Sequence, residues 1–494
     1  MEHLLGIDLG TSSVKAVLVD ARGRLVRSAV RDYPILAPQP GWAEQDPRDW
    51  WRAAVEAARE AAEGFRQTIR AVGPAGQMHG TVLLGEGDQA VRRAVIWPDG
   101  RSSVDAVELA ARLGEERLFR IAGTAAFTGF MGPTLLWLAR REPESLEAAR
   151  AALLPKDYLR FRLTGEIATE PTDACSTALF DIRRRRWSEE VIRSAGLPAS
   201  LFPKVIDPED VAGSLRVAAA REMGLPAGLP VVAGCGDQVA QALAGGVVSP
   251  GTASLTVGSG GQLFVPVADP PEVPGRNLHV FCHAPEDRWY LLGATLSAGL
   301  SLRWLRDLFA VEGGKDAFAE LSTLAEKVPP GAGGLFFLPY LAGERSPHMD
   351  PQARGCFVGL TLSHDRGCLA RAVMEGVAFC LREVVETVES LGVQPGKLLA
   401  AGNGLADPFW RRLTADVLGR PLRVSGRREQ TGVGAALLAG LGCGLYGGYD
   451  ELAQLAETGG RTEPRDRDAY DRLYAVFRDI YPRLRPLFRR MSGG

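Results

Sequence analysis

Leu4-Leu5-Gly6-Ile7-Asp8-Leu9-Gly10-Thr11-Ser12-Ser13-Val14-Lys15-Ala16-Val17-Leu18-Val19-Asp20 reads as an apolar strand, a glycine turn and a second strand. Asp20-Ala21-Arg22-Gly23 supplies another turn, so the hairpin continues as a meander. The same design returns at Ala253-Ser254-Leu255-Thr256-Val257-Gly258-Ser259-Gly260-Gly261, and again at Leu398-Leu399-Ala400-Ala401-Gly402-Asn403-Gly404. Val231-Val232-Ala233-Gly234-Cys235-Gly236-Asp237, a buried strand running into a glycine turn, opens the second half. Two halves built alike predict a duplicated α/β domain with a cleft between the copies, divided near residue 245 into 1–245 and 246–494.

Helices fill the intervals. Asp46-Pro47 places an N-cap before proline at the first helical position, and Trp51, Ala54, Val55 and Ala58 follow at helical spacing, predicting a helix to about Glu63. Further helical patterns cover 103–112, 133–141, 407–418 and about 466–490. Val91 to Trp97 reads as one more strand, closed by Pro98-Asp99-Gly100.

Composition narrows the function. The 494 residues carry 57 Lys+Arg against 59 Asp+Glu, a formal charge of −2, so no global positive field exists to hold nucleic acid or an anionic membrane. The seven cysteines form no CxxC pair, which fits a reducing cytoplasm better than a disulfide framework or a thiolate zinc site. No basic segment precedes the first strand, and a signal peptide is not expected. The long uncharged stretch from Gln238 to Ala268 is broken by Pro250, Gly251, Gly258, Gly260, Gly261 and Pro266, so it reads as strands and turns rather than a membrane span. Glycine is in surplus at 58 residues, as tight turns and close backbone approaches to a ligand require.

No G-x-x-x-x-G-K-[ST] loop occurs, and the HRD and DFG elements of protein kinases are missing. Three glycine loops at strand ends offer backbone N–H groups to phosphate instead. Asp8 and Asp237 each end a buried-looking strand beside glycine. They are either turn caps or a working pair, one near Mg²⁺ and one accepting a proton. Gln77-Met78-His79, between Gly76 and Gly80, suits a polyhydroxy substrate. His279 and His283 span about 13 Å along a strand and cannot share a metal. Glu344-Arg345-Ser346-Pro347-His348 fits either a substrate loop or a surface turn stapled by an ion pair.

Taken together, these segments resemble the FGGY family of carbohydrate kinases, most closely its xylulokinase branch, over essentially the whole chain. The likeness rests on the order of several segments: Ile7 to Ser12, Ala75 to Gly80, Leu154 to Arg160 with Leu163-Thr164-Gly165, Gly234 to Asp237, Tyr340 to His348 and Gly355 to Leu360. It implies two ribonuclease-H-like domains of the actin/hexokinase ATPase type flanking a central cleft, with sugar mainly on the first and ATP mainly on the second. It implies phosphoryl transfer from ATP to O5 of D-xylulose. By that likeness Asp237 is the general base, and Gln77, Met78, His79, Asp99 and Gln238 line the sugar site. Gly10, Thr11, Ser12, Lys15, Gly258, Ser259, Gly260, Gly402 and Asn403 face the nucleotide. Asp8, with Asp237 alongside, positions Mg²⁺. A homodimer is the assembly to expect.

Five positions depart from the family pattern. Pro98 and Gln238 replace asparagines beside the sugar site, Asn403 replaces a frequent glycine, Thr134 a lysine, and Cys368 a polar or acidic residue. A kinase for another ketose, polyol or sugar acid, a silent actin-like scaffold and a motion-coupled ATPase are the competing readings. Retention of both Asp8 and Asp237 argues against the scaffold.

Overall fold

The computed structural model describes residues 2–309 and 314–492. Among them the main strands form two seven-stranded sheets. In the first, β1 (His3–Leu9), β2 (Ser13–Asp20) and β3 (Leu25–Asp32) make the expected antiparallel meander, followed by α1 (Pro47–Ala61). Then β4 (Ile69–Gly76) runs parallel to β1 on its other side. Beyond it lie β5 (Val211–Ser214), β6 (Pro230–Val232) and β7 (Cys235–Gly236); β6 and β7 are parallel to β4.

The second sheet repeats this plan. Strands β8 (Thr252–Val257), β9 (Gly261–Val267), β10 (His279–Cys282) and β11 (Trp289–Thr295) pair antiparallel in the order β8-β9-β11-β10. On the far side of β8, β12 (Lys397–Ala401) and β13 (Leu422–Ser425) run parallel to it, and β14 (Thr458–Thr462) closes the edge. An antiparallel run with parallel strands added beyond its first member, built twice, is the duplicated α/β architecture the repeated strand–glycine pattern predicts.

Local chemistry accounts for the elements. Asp46 caps α1 by accepting from Arg48 N, and the helix buries Trp50, Trp51, Ala54, Val55 and Ala58 against β2 and β3. At about 1.5–3 kcal/mol for each large apolar side chain, that face outweighs any intrinsic helix propensity. Two expectations are corrected. Val231 and Val232 do not open a second domain: they join the first sheet beside β4. The strand expected over 91–97 is regular only at Ala94–Val95, because the chain turns where Asp99 N bonds to Ile96 O.

Two helices lie between the sheets: α2 (Asp237–Ala244), which leaves β7 directly, and α3 (Gln430–Gly442), which packs on β1, β4 and α2. Their approach leaves no room for side chains. A methyl on Gly434 would sit 1.8 Å from Ala240 O, and one on Gly6 would sit 1.9 Å from Gly432 O. No helix among the described residues is long and apolar enough to cross a membrane.

Candidate active site

The carboxyl ends of β1, β4 and β7 converge, the usual place for ligands in parallel α/β sheets. Ala75 of β4 pairs with both Asp8 of β1 and Cys235 of β7. The Asp8 strand and the strand leading to Asp237 therefore stand two strand spacings apart, roughly 10 Å. Gln77, Met78 and His79 follow β4 directly and fill the gap, with Gln77 N bonded to Leu9 O at 2.8 Å.

Asp237 is the first residue of α2, and its carboxyl is pushed up to about 6, chiefly by burial, with Gln238 opposing through hydrogen bonds. Asp8 is pushed up to about 7 by burial and by the negative field of Asp237, against the opposing Lys15. The Asp237 charge is thus felt at Asp8 across the strand ends. Gln238 Nε2 lies 3.5 Å from Asp237 Oδ1, so it faces the carboxylate at the edge of hydrogen-bond range.

Met78 is buried, with its thioether packed against Gly236. His79 has φ 76° and stacks on Phe130 at 3.9 Å, and its Nδ1 lies 2.9 Å from Ser176 O. Burial pushes the imidazole down to about 3, so it is neutral at physiological pH. Its partner is a carbonyl, which places the ring proton on Nδ1 and leaves Nε2 as an acceptor.

Two of the expected sugar residues are turned inward. Gln77 is 2% exposed and donates from Nε2 to Gln45 Oε1, while Gln45 donates to Thr11 O. Asp99 is fully buried: Oδ1 accepts from Arg101 N and Nε, and Oδ2 accepts from Ala43 N and Arg101. Both shape the loops around the site, and Asp99 has both oxygens engaged within the protein. Of the departures, Thr134 is fully buried and Cys368 begins the long helix Arg366–Ser390; nothing in the structure links either to the converging strand ends.

The glycine loops cap equivalent hairpins. Gly10 N bonds to Ser13 O between β1 and β2, and Gly258 N bonds to Gly260 O between β8 and β9, with Ser12 and Ser259 exposed at the tips. Thr11 Oγ1 accepts from Trp97 Nε1, and Lys15 is paired with Glu429 at 2.7 Å, across the two halves. Gly402 and Asn403, exposed after β12, begin a helical turn beside Val257, the last residue of β8.

Sequence reasoning missed the support beneath. Thr172 Oγ1 accepts from Gly236 N at 3.0 Å, and Ser176 Oγ accepts from His79 N, so one short segment anchors both the strand before Asp237 and the Gln77–His79 loop. Below it Lys156, Asp157, Arg160, Glu170 and Asp173 form a wholly buried ion cluster, with Lys156 Nζ 2.7 Å from Asp157 and 3.2 Å from Glu170. The signal available was Glu170-Pro171, an acidic residue before proline at a helix start.

The loop at Glu344 is no surface turn. Glu344 is buried and accepts from Leu296 N and Arg345 N, and burial pushes its carboxyl up to about 8. The folded state holds that proton more tightly than the unfolded chain, whose carboxyl titrates near 4.5. Its stabilising contribution is complete below that value and is lost as pH rises through about 8. Glu344→Gln cannot titrate, so melting curves should show the variant gaining on the wild type as pH rises from about 6 to about 9. A constant difference across that range would contradict the assignment.

Comparison with known proteins shows the family and the fold. The family described as "FGGY family of carbohydrate kinases" matches through its N-terminal domain over residues 3–244 and its C-terminal domain over 247–443. A xylulose kinase of Escherichia coli (strain K12) is 36% identical over 487 residues, covering 98% of this chain and 99% of that one. The crystal structure of xylulose kinase from Rhodospirillum rubrum superposes with a TM-score of 0.90 at 32% identity, covering 99% of this chain and 100% of the other. That of gluconate kinase from Lactobacillus acidophilus gives 0.92 at 26% identity, covering 98% of each. With both domain profiles matched in order, and with full-length likeness in sequence and fold, the chain belongs to the FGGY family of carbohydrate kinases.

Proposed function

We propose that this chain transfers the γ-phosphoryl group of ATP to O5 of D-xylulose, giving D-xylulose 5-phosphate and ADP. The observation that carries this is the convergence of Asp237, Met78, His79 and Asp8 at three neighbouring strand ends, in a chain 36% identical to a xylulose kinase.

Asp237 accepts the O5 proton as O5 forms its bond to the γ-phosphorus and the bond to the bridging oxygen of ADP breaks. A hydroxyl is a poor nucleophile at neutral pH, and a positioned base contributes roughly 10²–10⁴-fold. His79 Nε2 accepts from a sugar hydroxyl, and Met78 packs beneath the carbon chain. The hairpins at Gly10–Ser12 and Gly258–Gly260, with Gly402 and Asn403, present backbone dipoles to the nucleotide. In this reading 1–245 mainly holds sugar and 246–494 mainly holds ATP, and closure of the halves excludes water.

The donor set suits Mg²⁺. Asp8 and Asp237 are two mutually repelling carboxylates, and the nearest cation, Lys15, is already paired with Glu429. A hard cation takes one or two carboxylates together with phosphate oxygens, so Asp8, with Asp237 beside it, would hold the ion. When bound, the ion supplies charge neutralisation at the phosphates. The seven free cysteines support a cytoplasmic setting. A homodimer is expected, with a light-scattering mass near twice the 53.0 kDa of the chain.

The deciding experiment measures ADP release from ATP and Mg²⁺ with D-xylulose, D-ribulose, L-ribulose, glycerol and gluconate in parallel. D-Xylulose should give the highest kcat/KM. Release independent of sugar would instead support an ATPase, and a preference for gluconate would support a sugar-acid kinase. The base must be ionised to work, so kcat/KM should fall as pH drops through about 6. His79→Ala should raise KM for the sugar about tenfold, with KM for ATP nearly unchanged.

A further inference from the structure

Arg345 belongs to the C-terminal half, yet its guanidinium lies over the ring of Phe127, 5.6 Å from the centroid. Around it the two halves meet in an aromatic wall. His79 stacks on Phe130, Phe127 packs edge-on to His279 at 5.6 Å, and His279 stacks on Phe281 at 5.2 Å. Thr124 holds His279 Nδ1 at 2.9 Å from the first half.

The carboxyl whose charge acts on this cation is that of Glu344. Among the described residues its guanidinium makes no hydrogen bond and no ion pair, although it is half-buried. Its neighbour Glu344 turns its carboxyl to Leu296 N and Arg345 N. The nearby imidazoles are both held neutral, chiefly by burial and further by the Arg345 charge itself. A half-buried guanidinium with five donors and no protein acceptor is suited to take oxygen acceptors from a ligand. Phe127 packs on Phe130 at 5.5 Å, and Phe130 carries the stacked ring of His79, so Arg345 reaches the Gln77–His79 loop from its His79 side. Asp237 begins α2 after β7, so a molecule lying along this loop would meet Arg345 and Asp237 at different ends.

We propose that Arg345 is a specificity residue of the acceptor site, its guanidinium donating to the oxygens on the two carbons at the end of the sugar remote from the reacting hydroxyl. For D-xylulose these are the C2 carbonyl oxygen and the C1 hydroxyl. The assignment rests on the ketose-kinase reading above. A fork matches two acceptors on adjacent carbons better than a point charge does. Because the residue arrives from the opposite half, the contact is complete only when the halves are together.

The test compares wild type, Arg345→Met and Arg345→Lys with D-xylulose and with xylitol, which has the same chain but no carbonyl. Arg345→Met should raise KM for D-xylulose about 30-fold, leave KM for ATP within about twofold, and lose most of the preference for D-xylulose over xylitol. Arg345→Lys should fall between, and millimolar guanidinium chloride should partly restore Arg345→Met. Melting curves check that both variants fold. If either folded variant keeps KM for D-xylulose within about twofold of wild type, Arg345 serves only to pack on Phe127 and the proposal falls. Should wild type turn over gluconate but not D-xylulose, the ketose reading fails, and Arg345→Met losing gluconate turnover would still place the guanidinium at the acceptor. Calorimetric failure of wild type to bind any of these compounds would overturn both.

Discussion

Asp237→Asn is expected to lower kcat roughly 10³-fold while nucleotide affinity stays within about twofold. The substitution is nearly isosteric, and the side chain stands at the first position of α2, so backbone and packing are unchanged. What disappears is the carboxylate that takes the O5 proton in the proposed reaction. Asp8, pushed up further, lies on β1 beyond the intervening β4. ADP release and calorimetric titration with ATP measure the two halves of the claim separately. A variant that keeps more than about a tenth of its rate would show that proton removal is not assisted at this position, and the base would have to be sought elsewhere.

The second large effect concerns stability. Gly434→Val should destabilise the protein by about 3 kcal/mol or more, lowering the melting temperature by roughly 10 °C. The added carbon would meet Ala240 O at 1.8 Å, a backbone atom within a helix, which cannot rotate aside. Gly460→Val is the control, since nothing lies within 4 Å of that position. Equal melting temperatures for the two variants would mean that α2 and α3 slide apart freely and that their close contact carries no weight.

The hairpin Leu4–Asp20, helix α1 and the repeated strand–glycine junctions were legible because their signals are local: alternation, spacing and caps act within a dozen residues. Duplication was legible for the same reason, since the pattern recurs intact. Long-range pairing was not. Nothing in Val231-Val232 distinguishes a strand that joins β4, more than 150 residues earlier, from one that begins a new sheet. At the site, Asp8, Met78, His79 and Asp237 could be named from glycine context and family likeness, and they do converge. The inward turn of Gln77 and Asp99 was hidden because it depends on Gln45, Ala43 and Arg101, partners that only the folded chain assembles. The burial of Glu344 was hidden likewise, its oxygen being claimed by Leu296 N.

Where α2 crosses α3, the carbonyl of Ala240 meets the bare Cα of Gly434. Such a joint works as an axle rather than a gear. Small rotations of the halves about that point would leave both sheets unbent. A methyl group at that crossing would act as a pawl, so Gly434 has to stay bare.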